Sequence, residues 1–148
     1  MRSTFDKATR EELISRIETL NENSKAEWGK MTIAEMLKHC ILWEQMVSGE
    51  VKCKRVFLGR IFGKMALNGV LKSEKPMMRN ARSAPEVVAK EGVADITAGK
   101  KEWIERMQKN ATSPQPYFMH PFFGKMTKEQ LGYHAYMHTD HHLRQFGA

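Results

Sequence analysis

A chain of 148 residues, 41% hydrophobic and 28% charged, with a mean hydropathy of −0.54, can bury one core and is too apolar to stay disordered. The N-terminus opens into charged residues and no 18-residue apolar run occurs, so a cytoplasmic protein with no membrane partner is expected. Cys40 and Cys53, outside any C-x-x-C pair, exclude a disulfide framework or an all-cysteine zinc site.

The net charge is +7 and the pI about 9.5. Lysines and arginines are spread along the chain, and their densest runs, 52–55 and 72–82, lack the interleaved aromatics that stack bases, which argues against nucleic acid. A solvated surface, or attraction for anionic small molecules, accounts for the charge equally well.

In chain order, Thr9-Arg10-Glu11-Glu12 has the form of a capping box, and Leu13, Ile14, Ile17 and Leu20 follow at helical spacing before Asn21 to Asn23 end the first helix. A second box, Thr32-Ile33-Ala34-Glu35, opens a helix with an apolar stripe through Met36, Leu37, Cys40, Ile41 and Met46. His39 sits in its middle. Apolar positions from Arg55 to Lys72 allow a further helix, weakened by Gly59, Gly63 and Gly69. Ser73 to Ala84 reads as a surface loop, and a short helix from Pro85 breaks near Gly92. Asp95 to Asn110 is helical and stops before the 112–116 stretch with its two prolines. His120-Pro121-Phe122-Phe123-Gly124 reads as an aromatic loop, and Thr127-Lys128-Glu129-Gln130 caps the last helix. With no alternating strand pattern, the expectation is an all-α four-helix bundle forming one domain over residues 1–148.

Five of six histidines fall in the last 29 residues. On a helix, His134, His138, His141 and His142 share an arc of about 100° with Leu131 and Ala135. An i, i+4 pair stacks two imidazoles close enough to bind one metal ion, and both His134/His138 and His138/His142 have that spacing. His39, the one histidine outside this region, is the candidate third ligand. Three protein ligands leave positions open, as in a catalytic site. His120 beside Pro121 is expected to be a loop residue, the methionines core filler, and Trp28, Trp43 and Trp103 core or pocket walls.

Trp28-Gly29-Lys30-Met31-Thr32 leading to Met36-Leu37-Lys38-His39-Cys40, then His120 to Gly124, then His138-Thr139-Asp140-His141-His142-Leu143-Arg144-Gln145-Phe146, resemble the DinB/YfiT-like superfamily, within it an uncharacterised branch. The resemblance implies a four-helix bundle holding a divalent metal, zinc or nickel, through His39, His138 and His142, and so selects one histidine pair. Many relatives read His-His-Arg-Gly-Gln where this chain has His141-His142-Leu143-Arg144-Gln145. It further implies a metal-dependent hydrolase or a transferase using a low-molecular-weight thiol, acting on a small-molecule substrate, and a homodimer. Asp140 is expected to project away from the ligand face, and His141 to stand beside it as a proton-transfer candidate. The rival expectation is a non-catalytic basic helical bundle that binds nucleic acid or a protein partner, with a structural metal or none.

Overall fold

The computed structural model describes residues 1–73, 75–113 and 117–148. The chain is mostly helical: α1 is Lys7–Thr19, α2 Ile33–Ser48, α3 Phe57–Lys72, α4 Ile96–Ala111 and α5 Lys128–Gln145, with a 3₁₀ turn at Pro85–Val87. Between α4 and α5 lies an antiparallel hairpin, β1 (Tyr117–His120) and β2 (Gly124–Thr127).

Capping chemistry sets the helix starts. Thr32 and Thr127 form full capping boxes with Glu35 and Gln130, as their spacing predicts. The Thr9 box does not form. Asp6 caps α1 instead, its Oδ2 accepting from Thr9 N at 2.8 Å, so the helix begins at Lys7 and Thr9 is buried within its first turn. A carboxylate at the N-cap also meets the positive end of the helix dipole, which a threonine hydroxyl does not.

Four helices share one core: Leu13 and Ile17 of α1, Met36, Leu37, Cys40 and Ile41 of α2, Trp103 and Met107 of α4, and Leu143 of α5. A second cluster joins Trp43, Met46 and Val47 of α2 to Leu67 of α3, Val87, Phe118 and Met126 of the hairpin, and Leu131 and Ala135 of α5. The helical expectation therefore holds in outline, but the aromatic loop expected at 120–124 is the turn of a hairpin. Each strand is four residues long, and Tyr117-Phe118-Met119-His120 shows no hydrophobic alternation; Phe118 opposite Met126 supplies its one core-facing pair. Gly124, at φ 81°, takes the left-handed residue that follows a three-residue hairpin loop. The helix expected after Pro85 stops at Val87.

The cysteines are both free, Cys40 buried and Cys53 partly so. Trp43 and Trp103 are buried, and Trp28 is partly exposed. Among the described residues no helix is long and apolar enough to cross a membrane.

Glu44 on α2 is buried beside α4, its Oε2 accepting from Asn110 Nδ2 at 2.7 Å. Burial pushes its carboxyl up to about 7, against the opposing pulls of Asn110 and the Arg106 charge. A group raised in the folded state contributes stability below its unfolded pKa and loses it as pH rises through the folded value. Glu44→Gln keeps an acceptor for Asn110 and removes the charge, so the variant should gain on wild type between about pH 5.5 and pH 8.5. The expected gain, on the order of 2 kcal/mol, is read from urea midpoints at the two pH values; equal midpoint differences at both would contradict it.

Candidate metal centre

His39, His138 and His142 bring one ring nitrogen each within 4.8 Å of one another, and all three are buried. Two elements build this cluster. His39 lies on the inner face of α2, 2% exposed. His138 and His142 lie one turn apart on α5, whose buried residues cover so wide an arc that His134 and Gln145 also point inward.

The proton positions follow from the partners. His39 Nδ1 is 2.7 Å from the Val87 carbonyl, which can only accept, so Nδ1 carries the proton and Nε2 offers a lone pair. Gln145 Nε2 donates to the Trp28 carbonyl at 2.9 Å, which fixes the amide so that its Oε1 accepts from His142 Nδ1, also at 2.9 Å. His142 is thereby held with Nε2 free as well. His138 stacks on Trp43 with ring centroids 4.7 Å apart and planes 19° from parallel, and its Nε2 stands 3.1 Å from His39 Nε2. That separation suits a hydrogen bond. It is also close to the roughly 3.3 Å between two nitrogens bound to one zinc at a tetrahedral angle, from a Zn–N length of about 2.0–2.1 Å.

Burial lowers the pKa of all three, with the neighbouring imidazoles adding to the effect at His138 and His142. His138 lies well below the ordinary value and His142 is pushed down to about 3. At neutral pH the set is three uncharged imidazoles, the form that ligates a metal. The outer N–H groups of His39 and His142, held by a backbone carbonyl and an amide, match the outer shell that orients histidine ligands. The donor set fits a divalent ion, and these three buried histidines could hold one.

The other sequence candidates separate cleanly. Of the two pairs with i, i+4 spacing, the structure brings His138/His142 to His39. His134 instead contacts the rings of His120 and Phe123, at centroid distances of 5.2 and 5.3 Å. His120, expected in a loop, ends β1 opposite Gly124, and its Nδ1 accepts from the backbone N–H groups of Phe122 and Phe123 in the turn, both at 3.1 Å. His141 stands outside the trio, its ring centroid 5.1 Å from that of His142. It lines a surface crevice with Trp28, Pro76, Met77, Arg79 and Arg144. The Arg79 guanidinium lies 4.1 Å from the Trp28 ring centroid. Asp140 turns away to Arg16, at 2.8 Å, and Arg144, at 3.8 Å.

Sequence reasoning missed the Val87 carbonyl and Gln145 as supports; Trp43, expected in the core or as a pocket wall, is the wall on which His138 stacks. Gln145 alone left a signal, three residues after His142 and so on the same helical face.

Burying neutral histidines has a pH consequence. His120, His134 and His142 are depressed to about 3, 4 and 3, chiefly by burial. The unfolded chain binds protons at these groups below about 6.5 while the folded chain does not, so stability is present above that value and falls as pH drops through it. Each group should cost on the order of 2 kcal/mol at pH 5 relative to pH 7.5. Chelator-treated protein should show a clearly lower urea midpoint at pH 5, and an unchanged midpoint would show that these rings are not buried neutral.

No curated protein and no solved structure shows significant similarity to the chain. The family model described as "Protein of unknown function (DUF1569)" matches residues 3–148, nearly the whole chain. The chain belongs to the DUF1569 family.

Proposed function

We propose that this protein is a metal-dependent enzyme on a four-helix scaffold of the DinB/YfiT type, with zinc or nickel held by His39, His138 and His142. The reaction is a hydrolysis or a transfer to a low-molecular-weight thiol. The observation that carries the reading is the orientation of the donors. His39 and His142 each spend the Nδ1 proton on a fixed acceptor and keep Nε2 toward the centre of the cluster. A chance patch of histidines has no reason to place fixed acceptors on two outer N–H groups so that both Nε2 atoms face the third ring.

When bound, such an ion supplies Lewis acidity and lowers the pKa of a coordinated water or thiol. The chain's own residues do the rest. Val87 and Gln145 orient two ligands, and Trp43 packs one face of the third and keeps water from it. His141 lies one ring away, with Arg79 and Arg144 along the same crevice, where they attract an anionic substrate and His141 can hold or pass a proton at its ring.

The protein purified without an affinity tag should carry close to one equivalent of zinc or nickel by elemental mass spectrometry, and His39→Ala or His138→Ala should each abolish it. No bound metal after reconstitution with either ion would overturn the proposal. Gln145→Ala should retain the site but weaken metal affinity about 10- to 100-fold, measured by competition with a chromogenic chelator; unchanged affinity would remove Gln145 from the site's support. Once a substrate is in hand, His141→Ala should keep the metal and lose turnover, and full activity would rule out its proton role.

A further inference from the structure

α3 meets the rest of the protein through Gly59, Gly63 and Leu67, with its two glycines against the hairpin turn. A Cβ added at Gly59 would stand 2.4 Å from the Phe122 carbonyl oxygen, and one at Gly63 2.1 Å from the same atom. Only the glycine face can lie this close to the hairpin turn, so the helix cannot roll to bury its bulky side chains without displacing the turn. Those side chains face solvent: Phe57, Leu58, Ile61, Phe62 and Met65 are 48–72% exposed. At 100° per residue they fill one arc of about 140°. With large apolar side chains of roughly 200 Å² each, the exposed ridge is on the order of 500 Å², at the upper end of what monomeric proteins leave uncovered.

The charge is as lopsided as the hydrophobicity. Residues 51–73 contain Lys52, Lys54, Arg55, Arg60, Lys64 and Lys72 and no Asp or Glu. The whole chain has 24 basic and 17 acidic residues, so outside this segment 18 basic face 17 acidic, and six of the seven net charges lie on and around α3. Lys125 of the neighbouring β2 adds a further cation, set over the Tyr117 ring. Glu86, which accepts from the Lys54 backbone N–H, is an acid in contact with the segment.

We propose that α3 is an interfacial helix that docks the protein on an anionic lipid surface, its apolar ridge in the headgroup boundary and its flanking lysines and arginines against the headgroups. A second copy is disfavoured by charge: no acid in 51–73 is available to pair with the partner's cations, and like charges would meet around the seam. A lipid surface complements the charge and accepts a convex ridge without needing a shaped groove. At 16 residues α3 is about 24 Å long, shorter than a bilayer core, so it lies on the surface rather than crossing it. This departs from the expectation of no membrane partner, which came from the lack of a spanning segment.

Full-length protein is sedimented with phosphatidylcholine vesicles and with the same vesicles containing phosphatidylglycerol, at low and high salt. Binding should be at least about tenfold stronger to the anionic vesicles and should weaken with salt. Ile61→Glu, whose side chain points to solvent, should keep the wild-type circular dichroism and thermal transition while losing at least about tenfold in binding. Protein that stays in the supernatant with both vesicles overturns the proposal, as does vesicle binding unaffected by Ile61→Glu. So does a dimer, seen by light scattering, that Ile61→Glu dissociates, which would give the ridge to a second copy.

Discussion

Burying imidazoles without charging them is the constraint on which the rest of the molecule depends. His39, His134, His138 and His142 all sit within the helical interior, where a charged ring would cost several kcal/mol and an unpaired N–H somewhat less. The neutral form solves the first problem, and it leaves one proton per ring to be placed. Much of the irregular backbone serves that need. The 3₁₀ turn at Pro85–Val87 presents the Val87 carbonyl to His39, and the segment before α2 presents the Trp28 carbonyl to Gln145, which in turn receives the proton of His142.

The same constraint divides the molecule in two. At His39 and His142, fixed acceptors take the outer N–H groups and leave the Nε2 lone pairs facing the cluster. Around His134 and His120 the arrangement is one of packing: the His134 ring lies about 5 to 6 Å from those of Trp43, His120 and Phe123, and the His120 lone pair ties the hairpin turn. Both clusters lie along α5 and carry similar residue types. What separates them chemically is where the hydrogen-bond acceptors fall.

The hairpin also governs α3. Its turn occupies the space that Gly59 and Gly63 leave open, and that contact decides which side of α3 meets water. Packing geometry thus overrides the usual rule that the bulkiest side chains go inward. The result exposes an apolar ridge within a segment that carries six of the seven net charges, although the basic residues look evenly spread along the chain. It is the acids that are unevenly placed, and a count of bases alone does not see it.

Local chemistry made much of this legible in advance. The capping boxes at Thr32 and Thr127 and the helical stripes of α2 and α5 depend on neighbours within a few residues, and they formed as read. So does the clustering of histidines on one side of the last helix. Spacing left His134/His138 and His138/His142 equivalent, since an ideal helix stacks either pair. The choice belongs to tertiary packing, which sets His39, 99 positions from His138 in the chain, against one end of α5 and the hairpin against the other. The hairpin, the Asp6 cap, the Val87 carbonyl and the outward ridge of α3 were invisible for the same reason. Each depends on a contact between groups whose proximity no local periodicity encodes, or on competition between two nearby caps that only the packed N-terminal segment resolves.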